Sequence, residues 1–389
     1  MNTHTWRLPE YIEDILPAAA LRMEGLRHNL LNLFRVHGYE LVAPPLIEYL
    51  DSLLTGTGGD LDLKTFKLVD QISGQTMGLR ADITPQTARI DAHLLNRQGV
   101  TRLCYAGPVL HTLPERTGRS RELMQLGAEL YGHEGFEADI EIQKLMLSAL
   151  RLAGVSDLHL DLGHVGVFRG LLQYARIEEA QAGPLFAALQ SKDIASIRHL
   201  TRDLEPQTRA AFCTLPTLYG GEEVLERAFR ELPSHFEISQ ALEQLRAIVN
   251  ETRSGIKLNI DLAELRGYHY HSGVVFAVYT SHHPAPLASG GRFDHVGKTF
   301  GRARHATGFS LDLRELATLF PRPQVNRPIL APYLKNARLS ARIDELRLAG
   351  ETVIVDLPGH ESSRAEYDHD RILQPTAEGD WAVVARPAD

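Results

Sequence analysis

The residues of this chain best placed to do chemistry lie on one apolar run near its first third. Met124, Leu126, Ala128 and Leu130 fall on one face, and Gln125, Gly127, Glu129 and Tyr131 on the other, because side chains on a strand have a period of two. The polar face holds an amide and a carboxylate about 13 Å apart at ~3.3 Å per residue, with a glycine between them. A glycine flanked by two hydrogen-bonding side chains leaves a floor on which a small ligand can lie. The same spacing equally fits a strand with a merely solvated face.

The surrounding segment, 101–132, reads as a strand, a long Gly/Pro/Thr/Ser/Arg turn and a strand. It resembles motif 2 of the class II aminoacyl-tRNA synthetases, most of all histidyl-tRNA synthetase. The shared frame is Gly107-Pro108, Gly118-Arg119-x-Arg121, Gln125-x-Gly127-x-Glu129 and Gly132. Adenylating members read Phe-Arg-x-Glu at the turn, where the arginine grips the ATP α-phosphate. This chain reads Leu110-His111-Thr112-Leu113. A guanidinium is always charged and binds phosphate bidentately, whereas neutral histidine offers one donor and leucine none.

Other stretches extend the resemblance. Arg80-Ala81-Asp82-Ile83-Thr84 is similar to the synthetase segment that reads the amino acid, with Asp82 in the glutamate position and Thr84 in the threonine position. A substrate ammonium has three donors, and Asp82, Gln125 and Glu129 supply two carboxylates and an amide. Asp82 and Thr84 also suit the N-cap of a helix over 86–95. Arg266-Gly267-Tyr268-His269-Tyr270-His271 is similar to a histidine-specific signature, with Arg266 and Tyr270 matching and His269 and His271 departing. Gly290-Gly291-Arg292-Phe293-Asp294 is similar to a second one, Phe293 lacking the family's hydroxyl. The resemblance thus implies a histidine-like pocket of Asp82, Thr84, Gln125, Glu129, Arg266, Tyr270 and His271. Near 306–316, similar to motif 3, the family arginine is replaced by Glu315, Arg314 comes one residue early, and Asp312 stands for a glycine. Two carboxylates beside a triphosphate site are expected to repel it. With His111, Leu113 and Glu315 at degenerate positions of the ATP site, adenylation is expected to be lost, and no catalytic residue is expected.

Stepping outward, a Pro-punctuated arm leads into a helix over 18–37, where Leu26, Leu30, Leu33 and Phe34 form one face and Gly38 ends it. The helix, the strand from Tyr39 and Pro44-Pro45 resemble motif 1, which implies self-association. Residues 170–254 read as a helical insertion, and 323–389 as a reduced α/β tail with strands at 329–331, 352–355 and 381–386 and a helix at 337–350. The remainder, 1–169 and 255–322, forms the synthetase-like core. The expected fold is α+β, an antiparallel sheet flanked by helices.

With 43% hydrophobic and 23% charged residues, the 389-residue chain is of soluble globular type. Its net charge of −8 gives no footprint for nucleic acid, so tRNA is not an expected partner. Two distant cysteines, Cys104 and Cys213, suggest neither a disulfide framework nor a zinc site. No run suits a signal core or a membrane span, and a cytoplasmic protein is expected. A synthetase-like core without its ATP-gripping arginines resembles the regulatory subunits of ATP phosphoribosyltransferase. That resemblance implies no cofactor, no activity of its own, a hetero-oligomer with a short-form catalytic subunit and a part in histidine feedback. A histidyl-tRNA synthetase, or a ligase for another carboxylate, would need arginines where His111 and Glu315 stand.

Overall fold

The computed structural model describes residues 7–55, 59–116, 118–252, 256–320, 327–359 and 368–386. The chain divides into two compact units, Met1–Pro321 and Arg322–Asp389. The expected boundary at 322 falls outside the described residues.

In the first unit the strands are β1 (Glu40–Leu41), β2 (Ile47–Tyr49), β3 (Phe66–Val69), β4 (Thr76–Leu79), β5 (Thr101–Leu110) and β6 (Glu122–Tyr131). They continue with β7 (His159–His164), β8 (Tyr219–Gly220), β9 (Lys257–Asp261), β10 (Val274–Thr280), β11 (His283–Arg292) and β12 (Ala306–Asp312). One sheet runs in the order β1-β5-β6-β12-β11-β10-β7-β9-β8, and a small one in the order β2-β4-β3. From β5 through β7 every neighbour in the large sheet is antiparallel; β1 joins β5, and β9 joins β7, in parallel. The α+β expectation therefore holds, with the expected antiparallel pairing at the sheet's centre and parallel pairs at its margins.

One face of the sheet is covered by helices whose apolar stripes the sequence carries. The helix Pro17–Val36 buries Met23, Leu26, Leu30 and Phe34, a helical repeat, and Phe34 meets Phe309 of β12 edge-on with centroids 5.8 Å apart. It ends at Gly38, whose φ of +86° costs glycine nothing. The helix Glu137–Leu152 packs on the same face, and Leu126, Ala128 and Leu130 of β6 meet both helices in one core. The other face of β6 is thereby left for the site.

The helices of the insertion share the main core, and Tyr219–Gly220 pairs with β9 at the sheet margin. Two local readings differ from expectation. The helix expected over 86–95 begins at Thr84 and passes into a π-helix, Ile90–Leu95, where Asp91 turns inward to Arg304 at 2.8 Å. In the second unit, β13 (Ile329–Pro332), β14 (Val353–Asp356), β15 (Arg371–Pro375) and β16 (Trp381–Ala385) form one sheet beside the helix Ala337–Leu348. The strand β15, which the sequence reading lacks, is held between β13 and β16.

A buried ion pair ties the sheet to its helical cover. Arg292, the last residue of β11, donates from Nε and Nη2 to Asp139 in the first turn of the helix Glu137–Leu152, at 3.1 and 2.8 Å. Its remaining donors reach the carbonyls of His133 and Gly135 at 3.2 and 2.8 Å. Both side chains are under 9% exposed. Removing one partner of such a pair leaves an uncompensated buried charge. Asp139→Ala is expected to lower stability by about 3–5 kcal/mol, read as a shifted urea midpoint.

Candidate functional site

Where β6, β7, β10, β11 and β12 lie side by side, their uncovered face opens into a cavity of about 210 Å³. That is below the ~300–1,000 Å³ of pockets for drug-sized ligands and suits a molecule of amino-acid size. Asp82, Thr84, Glu129, Arg266, Tyr270 and His271 all line it. Of the seven residues expected here, only Gln125 is absent from the wall. Its Oε1 accepts from the Ile83 N–H at 2.9 Å and its Nε2 donates to Asp82 at 2.8 Å. Gln125 therefore holds the Asp82 carboxylate in place. The floor expected above Gly127 is also taken: a Cβ there would come within 2.5 Å of the Tyr105 hydroxyl, which stands across the β5–β6 ladder.

Glu129 is the innermost polar group. It is 1% exposed, accepts a short hydrogen bond from the Tyr131 hydroxyl, and leaves Oε1 without a partner. Burial pushes its carboxyl up to about 8 from an ordinary 4.5; the nearby hydroxyls of Thr84 and Tyr105 pull the other way, and Asp82 adds to the rise. Gly308 of β12 is what admits it, since a Cβ there would sit 2.7 Å from the Glu129 Cγ. Asp82 accepts from the Thr84 N–H at 3.1 Å, so it serves the helix start while its side chain lines the cavity.

The loop 266–271 supplies the opposite wall. Tyr270 stacks on Phe293 with centroids 5.3 Å apart, and its hydroxyl is buried without a partner. His271 is held by burial to a pKa of about 4, so its ring is neutral. Its Nδ1 lies 3.3 Å from the Arg292 carbonyl. A carbonyl only accepts, so the proton is assigned to Nδ1, and Nε2 keeps its lone pair. Two glycines make room for this ring: a Cβ on Gly267, at φ +65°, or on Gly291 would come within 2.7 or 2.9 Å of it. His269 lies outside the cavity, against Phe186 of the insertion at 5.5 Å. Arg266 sits at the rim, bonded to Glu264 at 3.2 Å and to the Tyr279 hydroxyl at 3.0 Å. Asp161 and Glu264 add two more carboxylates to the lining. The sequence reading missed both, although Asp161 alternates with Leu160 and Leu162; only the pairing of β7 with β10 shows where that face points.

The adjoining cavity, about 630 Å³, takes in His111 of the three degenerate positions, though not Leu113 or Glu315, and shares Asp82, Arg266, Ser289 and Ser310 with the first. His111 is buried beside the Ala81 carbonyl at 2.9 Å, and burial lowers its pKa, so no fixed cation stands there. Leu113 is 74% exposed. The two carboxylates of 312–315 act differently from the expected bare repulsion. Asp312 accepts from the Arg314 N–H at 3.1 Å and the Met124 N–H at 3.2 Å, and Glu315 pairs with Arg116, with Arg119 at 3.2 Å and with His283 at 2.7 Å. Glu115 takes Arg119 as well, at 2.6 Å. Two cations of the turn, Arg116 and Arg119, are thus paired with Glu115 of the turn itself and with Asp312 and Glu315, while Arg121 donates to the carbonyls of His111 and Glu10. Arg314 points away, to Glu13 at 2.9 Å. Among the described residues no group of three or more His, Cys, Asp or Glu side chains could hold a metal ion.

The raised carboxyl of Glu129 has a consequence for stability. Between an unfolded value near 4.5 and a folded value of about 8, the folded chain keeps a proton that the unfolded chain releases. Stability therefore falls as pH rises through that window, by about 1.4 kcal/mol per unit for one proton, and levels off above it. In Glu129→Gln that slope is expected to be shallower by one proton's worth, measured as urea midpoints from pH 5 to pH 8.5.

Comparison with known proteins agrees with this geometry. The family model for histidyl-tRNA synthetase matches residues 11–316, and the one for the ATP phosphoribosyltransferase subunit HisZ C-terminal domain matches 326–384. An ATP phosphoribosyltransferase regulatory subunit of Methylobacillus flagellatus is 55% identical, covering 98% of this chain and 99% of its own length. One from Ralstonia pickettii is 56% identical, with 98% of each chain covered. Among solved structures, an ATP phosphoribosyltransferase regulatory subunit/histidyl-tRNA synthetase from Bacillus halodurans superposes with a TM-score of 0.83 at 26% identity, covering 95% of this chain and 97% of that one. The histidyl-tRNA synthetase of Nostoc, 16% identical, shares the fold with a TM-score of 0.78 over 98% and 97% of the two chains. A synthetase-like fold and near full-length identity above 50% lead to one assignment: the chain belongs to the family of ATP phosphoribosyltransferase regulatory subunits.

Proposed function

We propose that this chain is a non-catalytic subunit which activates a short-form ATP phosphoribosyltransferase catalytic subunit in the first step of histidine biosynthesis and takes part in feedback by histidine. The observation that carries this reading is the fate of the two arginine positions. One holds a buried histidine held neutral, and the other holds Glu315, which binds Arg116 and Arg119. Stabilising a transferring phosphoryl group is usually the largest catalytic term, and loss of one donor costs about 10²–10³ in rate. The alternative, a histidyl-tRNA synthetase or a related ligase, lacks its cations here.

The amino-acid cavity supports a part in feedback. Asp82 and Glu129 offer carboxylates to an ammonium, Thr84 a hydroxyl, and Arg266 a guanidinium at the rim to a carboxylate. Gln125 contributes by fixing Asp82. Function in the cytoplasm, alongside the partner subunit, fits this role. For self-association we take the region 18–48, where β1 forms the sheet margin and Leu41, Leu46 and Ile47 are exposed.

Mixed with a short-form catalytic subunit, the chain is expected to raise phosphoribosyl transfer well above that of the catalytic subunit alone, while showing no histidine-dependent exchange of pyrophosphate into ATP. Exchange above a heat-killed control would remove the reading. Light scattering of the chain alone at micromolar concentration is expected to give at least a dimer's mass, and a monomer's mass would remove the proposed interface.

A further inference from the structure

We propose that His111 is a positioning residue for the neighbouring amino-acid cavity: its ring holds the peptide that precedes Asp82, and so sets the direction in which the Asp82 carboxylate enters that cavity. This rests on the reading that an amino acid occupies the cavity. It gives a task of its own to a position that otherwise counts only as a missing cation.

The geometry centres on the carbonyl of Ala81, a residue 5% exposed. Among the described residues the one donor to that carbonyl is the His111 ring, with Nε2 at 2.9 Å. A carbonyl only accepts, so the proton is assigned to Nε2. An i to i−4 bond from residue 85 would also serve this carbonyl, but Pro85 has no N–H. The Thr84 N–H is spent on the Asp82 side chain at 3.1 Å. Peptide groups are planar, so fixing the Ala81 carbonyl fixes the N–H and Cα of Asp82 with it. From the other side, Gln125 donates to the Asp82 carboxylate at 2.8 Å and accepts from the Ile83 N–H at 2.9 Å. Asp82, which lines the amino-acid cavity, thus has a backbone anchor in His111 and a side-chain anchor in Gln125.

His111 can anchor a neighbour because it is itself held. Its N–H donates to the Arg121 carbonyl at 2.8 Å, and its own carbonyl accepts from Arg121 Nε at 3.1 Å. Next to it, Thr112 donates from its backbone N–H to the Lys64 carbonyl at 3.0 Å and from its hydroxyl to the Leu63 carbonyl at 2.6 Å. The end of β5 is therefore tied to two other segments before the ring reaches Ala81. A neutral imidazole then offers one N–H to one buried acceptor, and a buried carbonyl stripped of its donor is costly to the arrangement that strands it.

The test sets three replacements in the full chain. His111→Gln brings an amide N–H to the reach of Nε2, His111→Asn brings one only to the reach of Nδ1, and His111→Leu fills space without a donor. Histidine affinity is read by calorimetry and the exchange of the amides of residues 80–84 by hydrogen–deuterium exchange, with a urea midpoint to show that each variant is folded. His111→Leu and His111→Asn are expected to weaken histidine about tenfold, the worth of one hydrogen bond, and to speed exchange over 80–84. His111→Gln is expected to keep both close to the unsubstituted chain. His111→Asn serves should His111→Leu not fold. Unchanged affinity and exchange in every variant would overturn the inference, and so would an equal loss in all three, which would make the shape of the ring, rather than its donor, what counts. No histidine binding by the unsubstituted chain would remove the amino-acid reading. The exchange pattern then decides the inference by itself: protection kept only in His111→Gln upholds it, and uniform exchange overturns it.

Discussion

Much of the site depends on the ion pair between Arg292 and Asp139. Its five donors are spread over one carboxylate, two carbonyls and Asp294, so the end of β11 cannot shift without breaking several bonds. The backbone of the same residue then does the positioning. Its carbonyl accepts from the Ser272 N–H at 2.8 Å and faces His271 Nδ1. A charge buried on the helical side of the sheet thus fixes which nitrogen of His271 carries the proton on the cavity side. Such a pair contributes little net stability compared with an apolar replacement, but it fixes one arrangement.

The fold was legible where local patterning decides it. The stripe of Leu26, Leu30 and Phe34 and the alternation over 124–131 each name the face packed against the helices without knowledge of the neighbours. What failed to read through was set across strands. Gly127 looked like open floor because Tyr105, its partner in the ladder, is twenty-two positions away in sequence. Gln125 looked like part of the same wall as Glu129, whereas its amide bonds to the segment 82–83 and its side chain lines the adjoining cavity. The strand β15 is a short run ending in proline and becomes a strand only between β13 and β16.

The degenerate positions show the same limit from the other side. Residue types alone gave the loss of the arginine at His111 and Glu315. They did not give where the replacement charges go, because Glu115, Asp312 and Glu315 meet Arg119 only through the return of the chain on β12. Two neighbouring cavities on one sheet face have therefore diverged. One keeps an unmet carboxylate, and the other has its charges balanced from within.

That internal balance opposes an arginine at either position. An arginine at position 111 would enter a site 6% exposed, beside one carbonyl, with Glu115 already paired to Arg119. An arginine at position 315 would release Arg116 and Arg119 and set a third guanidinium against them. Each reversion is unfavourable until the other groups have changed too. Placing arginines at both positions would therefore require compensating changes at Glu115, Arg116 and Arg119 as well.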